Sequence, residues 1–295
     1  GSFTIGNRLA TSNTEYTLTG SVTVNKDSAL NVNGKTTVTG GVELNSGSVN
    51  VNNGTLVSKD VTATGKVNIT GNADITNLTV VKGIDGTSTD SSVINIGNSK
   101  KAGNVTVETA DLKGATVFLD PAWVDGAEIT DASKMAVAGE NAKVELNGKY
   151  VVGQNSVMSF GVDNNEKAQE TFAKTGLSWG EKAITAGLYI NGSVDLAGGA
   201  IVVDGRMGTA PAAPANGTFT AAVNSVVMVD GQSINKEGTA AITGVTTVTV
   251  EDTSKLYIDG AKKGETYHVI DGANADWQDA NIVSDNALLK FEGDG

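Results

Sequence analysis

The chain contains no cysteine, which excludes a disulfide framework, a thiolate zinc site, an iron–sulfur cluster and a thiol nucleophile. Its one histidine, His268, lies between Tyr267 and Val269 in a strand-like run, with no convincing nucleophile or orienting acid beside it. It therefore reads as a surface or edge histidine rather than a general base. Arginine is limited to Arg8 and Arg206, and the formal net charge is −12. That balance disfavours phosphate backbones and anionic headgroups, so neither nucleic acid nor a bare membrane is expected as a partner. Only 3 prolines stand against 37 glycines, a ratio suited to tight turns rather than a proline-rich linker. Aromatics are scarce at 5%, which leaves Val, Ile, Leu and Ala to build the core. No apolar run approaches a membrane span, and no signal peptide is seen. Gly1 and Ser2 read as a cloning remnant ahead of a segment of a longer parent. A Gly-x-Ser-x-Gly elbow, a His-Glu-x-x-His helix and a phosphate-binding loop are all missing.

What is present is a recurring burst. Val22 and Val24, Leu30 and Val32, Val42 and Leu44, Val49 and Val51, and Val67 and Ile69 each alternate with small polar residues before a turn. Alternation puts one side of a strand in a core and the other in water. Strands this short do not stand alone and must stack on equivalents of themselves. Val22 to Val42 spans twenty residues and Val42 to Val67 twenty-five, which predicts a coil of roughly twenty residues carrying three strands. Asn33-Gly34, Asn53-Gly54 and Asp85-Gly86 supply residues that tolerate positive φ, and Leu18-Thr19-Gly20, Val38-Thr39-Gly40 and Ile69-Thr70-Gly71 suggest a second kind of corner. Asn and Thr at such corners are expected to stack in ladders. An antiparallel sandwich would need longer strands and uniform two-residue hairpins, and it fits less well. The expected fold is all-β, a right-handed parallel β-helix (solenoid) with a small helical insertion. Residues 3–155 form coils, 156–190 the insertion, and 191–295 further coils with a closing segment.

The insertion is inferred from a broken rule. Asp163 to Glu166 reads as a capping box, Ala168 and Phe172 share a helical face, and Thr175-Gly176 offers a stop. Ser178 to Glu181 repeats the cap before Ala183, Ile184 and Ala186. Leu188 to Ile190 then resumes a strand, followed by Ile201 to Val203, Val226 to Val229, Val245 to Val250 and Leu256 to Ile258. Thr209 to Gly217, with Pro211 and Pro214, reads as a loop leaving the coil. Tyr257, Tyr267, Trp277 and Phe291 concentrate near the end, where a solenoid needs sealing. Trp123, Phe160, Phe172 and Trp179 are expected to cover core around the insertion, or else to stack on a sugar or anchor a partner.

Acidic chemistry is thin. Asp60, Asp74, Asp85, Asp90 and Asp111 form no tight pair of the kind glycoside hydrolysis uses. Glu251-Asp252 and Asp276 to Asp279 read as solvated turns rather than calcium loops. No catalytic, cofactor-binding or metal-binding residue is assigned.

The Val/Thr/Asn/Gly coils resemble the β-helical passenger domains of bacterial autotransporters, the secreted portions of type V secretion proteins. Lys255 to Gly272, and Trp277 followed by Asn281 to Phe291, look like a passenger's C-terminal coils. The resemblance covers nearly the whole chain and rests on pattern rather than on a sharp motif; the helical excursion departs from it. It implies export through the outer membrane and display on, or secretion from, a Gram-negative-type bacterium, with the membrane barrel outside this chain. The expected role is a non-enzymatic surface adhesin or structural stalk. Its partners are then host or neighbouring-cell glycans, surface proteins, or further copies of itself. The alternatives are a carbohydrate-acting β-helix enzyme and a self-associating surface-layer or aggregation protein.

Overall fold

A computed structural model describes residues 1–81, 92–112, 114–124, 128–137, 144–161, 188–204, 216–234, 240–251, 253–272 and 282–283. Over these residues the chain is nearly all β, and it divides into two compact units, Gly1–Met135 and Ala136–Gly295. Each is a stack of parallel strands of the β-helical kind.

In the first unit the coils have three faces. One face carries Ser2–Ile5, Ala29–Asn33, the starts of the long strands Ser48–Thr64 and Lys66–Val80, then Val93–Ile96 and Thr116–Leu119. A second carries Glu15–Leu18, Lys35–Val38, the middles of the two long strands and the start of Gly103–Asp111. The third carries Val22–Val24, Val42–Asn45 and the ends of the same long strands. All these pairings are parallel, as stacking of like on like requires. Val22 does pair with Val42, but Val42 pairs with Val61 and not with Val67. Val67 belongs to the first face, opposite Ile94. All three faces share one alternation, so the pattern locates strands without saying which face a strand is on.

Alternation sets burial as expected. Leu30, Val32, Val67, Val80 and Ile96 have no exposed surface, and the more exposed residues beside them include Asn31, Lys66, Asn68, Thr79 and Asn95. Burying a side chain such as Leu30 contributes about 1.5–3 kcal/mol. The outward polar residues bond along the stack. Asn50 Nδ2 donates to Asn31 Oδ1 at 3.1 Å, and Thr70 Oγ1 donates to Asn50 Oδ1 at 3.2 Å. Asn95 Nδ2 donates to Asn68 Oδ1 at 3.0 Å, and Asn68 Nδ2 donates to Ser48 Oγ at 3.3 Å. The ladders thus run along strands as well as at corners. Some buried positions are polar, among them Ser58, Ser92 and Thr36; Ser58 hydrogen-bonds to the Asp60 carbonyl, whereas the fully buried Thr36 hydroxyl has no hydrogen-bond partner. A buried hydroxyl without a partner costs about 1–3 kcal/mol, so Thr36→Val is expected to stabilise the chain by about 1 kcal/mol. An unchanged or lower urea midpoint would contradict this.

The second unit repeats the plan with larger side chains. One face pairs Lys149–Val152, Ser193–Leu196, Gly217–Ala221 and the later part of Ile242–Val250. Another pairs Val157–Phe160, Ala200–Val203, Val226–Asp230, Lys255–Asp259 and Ile282–Val283. On the remaining face Val144–Leu146 pairs with Leu188–Ile190, whose Leu188 and Tyr189 pair directly with Ile242 and Thr243. The loop expected over Thr209 to Gly217 falls largely on residues 205–215, which lie outside the described residues. A single helical turn, Gly231–Ile234 (α1), follows Asp230.

Tyr150, Phe160 and Phe219 are the largest side chains with no exposure among the described residues of this unit. Its Val157-to-Lys255 face also departs from alternation. Val157, Ala200, Val202, Val226 and Met228 are buried in one cluster with half-buried Tyr257 against it, while Phe160, Val203 and Val229 in the same strands are also buried. Continuous apolar runs such as Ala200-Ile-Val-Val203 are what a strand covered on both sides requires. The expected insertion is bounded by Val157–Phe160 and Leu188–Ile190; its residues 162–187, including Phe172 and Trp179, lie outside the described residues, as do Trp277 and Phe291.

Candidate functional site

Where the regular coil of the first unit is interrupted, a groove opens at the corner between its first and second faces. It encloses about 320 Å³ and is lined by Val51 and Asn52 of one coil, Gly71 and Asn72 of the next, and Lys101 to Asn104 of the one after. Asp131, Ala132 and Lys134 form the opposite side.

Two short excursions build it. After Val93–Ile96 the chain makes a tight turn in which Asn98 and Lys101 pair through N–H···O bonds of 2.9 and 3.2 Å. Asn98 Oδ1 also accepts from the N–H groups of Lys100 and Lys101, at 2.9 and 3.0 Å, an Asx-type closure. The second excursion is an antiparallel hairpin, Ala122–Val124 against Glu128–Asp131, among parallel surroundings. The Trp123 N–H donates to Ser99 O at 2.9 Å, tying hairpin to turn.

Lys101 reaches back across the stack. Its Nζ donates to the Val51 carbonyl and stands 3.5 Å from Asn52 Oδ1. Val51 lies where the register of Ser48–Thr64 on Lys66–Val80 slips between Asn50 and Thr55. Lys101 therefore satisfies a carbonyl at an irregularity of the ladder. Burial pushes its ammonium below the usual lysine value. Beside it stands an amide row: Asn104 Nδ2 donates to Asn72 Oδ1 at 3.4 Å and Asn72 Nδ2 to Gly54 O at 3.2 Å. Asn52 Nδ2 donates to Asn33 Oδ1 at 3.3 Å. Asp131 is exposed, on the strand paired with Ala122.

The residues singled out from sequence lie elsewhere. His268 is exposed, its backbone tied to Ile234 and Ala241. Phe160 is a core residue and Trp123 half-buried in the hairpin. Asp60, Asp74 and Asp111 are exposed on the first unit, and Asp60 Oδ1 accepts from Asn77 Nδ2 at 2.8 Å. Asp85, Asp90, Asp252 and Asp276 to Asp279 fall outside the described residues. Among the described residues no three His, Asp or Glu side chains cluster as metal ligands, and no helix is long and apolar enough to cross a membrane. The sequence does hold a sign of the groove: Gly97-Asn-Ser-Lys-Lys-Ala-Gly103 inserts two lysines between the bursts Val93–Ile96 and Val105–Val107.

Fold and groove define a parallel β-solenoid with a polar corner cleft. Comparison with models of known protein families finds no match, and comparisons with curated proteins and with solved structures find none either.

Proposed function

We propose that this chain is a non-enzymatic cell-surface adhesin or structural stalk, the passenger part of an autotransporter of a Gram-negative-type bacterium. The observation that carries this reading is the coil-on-coil parallel register of the first unit, dressed outside with Asn, Thr and Ser ladders. Each coil finds its partners in its immediate neighbours, so it can form as it emerges from a membrane. No disulfide has to close, since the chain has no cysteine. A hydrated ladder surface also suits many weak contacts made in parallel by many copies. The groove supports binding over hydrolysis: its lining has one carboxylate, Asp131, where a glycosidase uses two.

The test is to fuse the chain ahead of an autotransporter β-barrel and follow it on intact bacteria. Antibody labelling at the surface is expected, with adhesion to glycan- or protein-coated plates above that of cells carrying the barrel alone. Absence of surface label would remove the passenger reading. Release of reducing ends from a polysaccharide, abolished by Asp131→Asn, would replace the adhesin by an enzyme.

A further inference from the structure

We propose that the corner groove over Asn52, Asn72, Lys101, Asn104 and Asp131 binds one neutral pyranose unit of a glycan. The volume, about 320 Å³, is at the small end of ligand sites and suits a ring or two rather than an extended chain. Asn72 and Asn104 are register partners on adjacent coils, one strand spacing of about 4.8 Å apart. That spacing matches the separation of alternate equatorial hydroxyls on a pyranose. Each amide keeps a second N–H after its ladder bond, and Asn72 Oδ1 keeps a lone pair beyond the bond from Asn104, whereas Asn104 Oδ1 is buried; the row therefore meets a ligand mainly as a donor. Gly54, Gly71 and Gly103 leave the floor without side chains, open to the C–H face of a sugar.

Charge selects the class. Lys101 already serves the Val51 carbonyl and Asn52, and Lys134 is engaged by another group. The exposed Asp131 carboxylate is an acceptor for two neighbouring hydroxyls and repels an anion. A phosphate or uronate would meet that carboxylate on a chain of net charge −12. A neutral polyol meets only complementary groups. With no aromatic ring in the lining, the single-site affinity belongs near the millimolar level, which fits contacts made by many copies.

Sugar binding here would give the adhesin reading its ligand class, and it rests on that reading for its setting. A solution titration separates the two, because it reads binding wherever the chain resides. Glucose, galactose, mannose, N-acetylglucosamine, glucuronate and inorganic phosphate are titrated into the ¹⁵N-labelled chain while the Asn and Gly resonances are followed. At least one neutral sugar is expected to shift Asn72, Asn104 and Gly103 saturably, with a midpoint below about 100 mM. Asp131→Asn, on the exposed hairpin, should weaken it about tenfold, and Asn52→Ala several-fold, with the rest of the spectrum unchanged. No saturable shift with any neutral sugar, or an equal midpoint in Asp131→Asn, overturns the proposal. So does a response to glucuronate or phosphate alone. A negative titration leaves the stalk standing, whereas loss of surface display leaves a positive titration standing.

Discussion

Gly71→Ala is expected to lower stability by at least about 3 kcal/mol. Two terms add. Gly71 has φ +79°, a conformation that costs a residue with a side chain about 1–2 kcal/mol. A Cβ built there also runs into the Val51 carbonyl oxygen and approaches the Val51 Cβ, both in the coil beneath, so backbone rather than a flexible side chain would have to move. That oxygen accepts the Lys101 ammonium, so moving it disturbs the groove as well as the stack. Gly264 supplies the control, with φ +85° and nothing within 4 Å of an added Cβ. Gly264→Ala should therefore show only the conformational cost. Urea midpoints of the two variants separate the terms, and equal losses would show that the close approach of coils at Gly71 contributes nothing.

The second large effect is an alkaline loss of stability centred on Tyr150. Its side chain is fully buried, and burial pushes the phenol up to about 12, with the Gly148 and Asn147 backbone bonds working in the opposite direction. An unfolded tyrosine titrates near pH 10. Below that value both states hold the proton and pH has no influence through this group. Between about pH 10 and 12 the unfolded chain releases a proton that the folded chain keeps, so stability falls. The two-unit difference corresponds to about 3 kcal/mol by pH 12. Tyr150→Phe should cost about 1 kcal/mol at neutral pH and flatten the decline above pH 10. An unchanged slope in that variant would sink the assignment. Lys101 contributes with the opposite sign, because its folded value lies below the unfolded one and stability rises as pH climbs towards the ordinary lysine range.

Much of the architecture is written in local alternation. Leu30, Val32, Val49 and Val51 point inward because every second residue is apolar, Gly34 stands at a bend with φ +83°, and Gly54 lies where the long strand Ser48–Thr64 slips its register, with φ +112°. What alternation does not carry is the assignment of a burst to a face. Val61 and Val67 look alike in sequence, and only the stack decides that Val61 follows Val42. In the second unit the unbroken apolar run Ala200-Ile-Val-Val203, and Val157-Met-Ser-Phe160 with its one small polar residue, carry a further message, since near-continuous apolar character marks burial on both sides. The groove was least legible. Val51 and Lys101 are 50 positions apart, and they meet because a turn on one coil reaches over the next. Attention to the interruption at Gly97 to Gly103 finds the lysines, but their target emerges only from stacking.

The direct pairing of Leu188 and Tyr189 with Ile242 and Thr243 changes how the second unit comes apart under tension. An ordinary solenoid peels like a roll of tape, one turn at a time, since each turn grips only the next. Here the turn bearing Leu188 and Tyr189 holds Ile242 and Thr243 directly, while its Val194 and Ile201 hold Phe219 and Val227 of the turn between. The middle turn is stapled on one side by a bond that bypasses it. Tension that draws out Ile242–Val250 therefore loads two turns at once, and the staple makes them a single mechanical element rather than two successive ones.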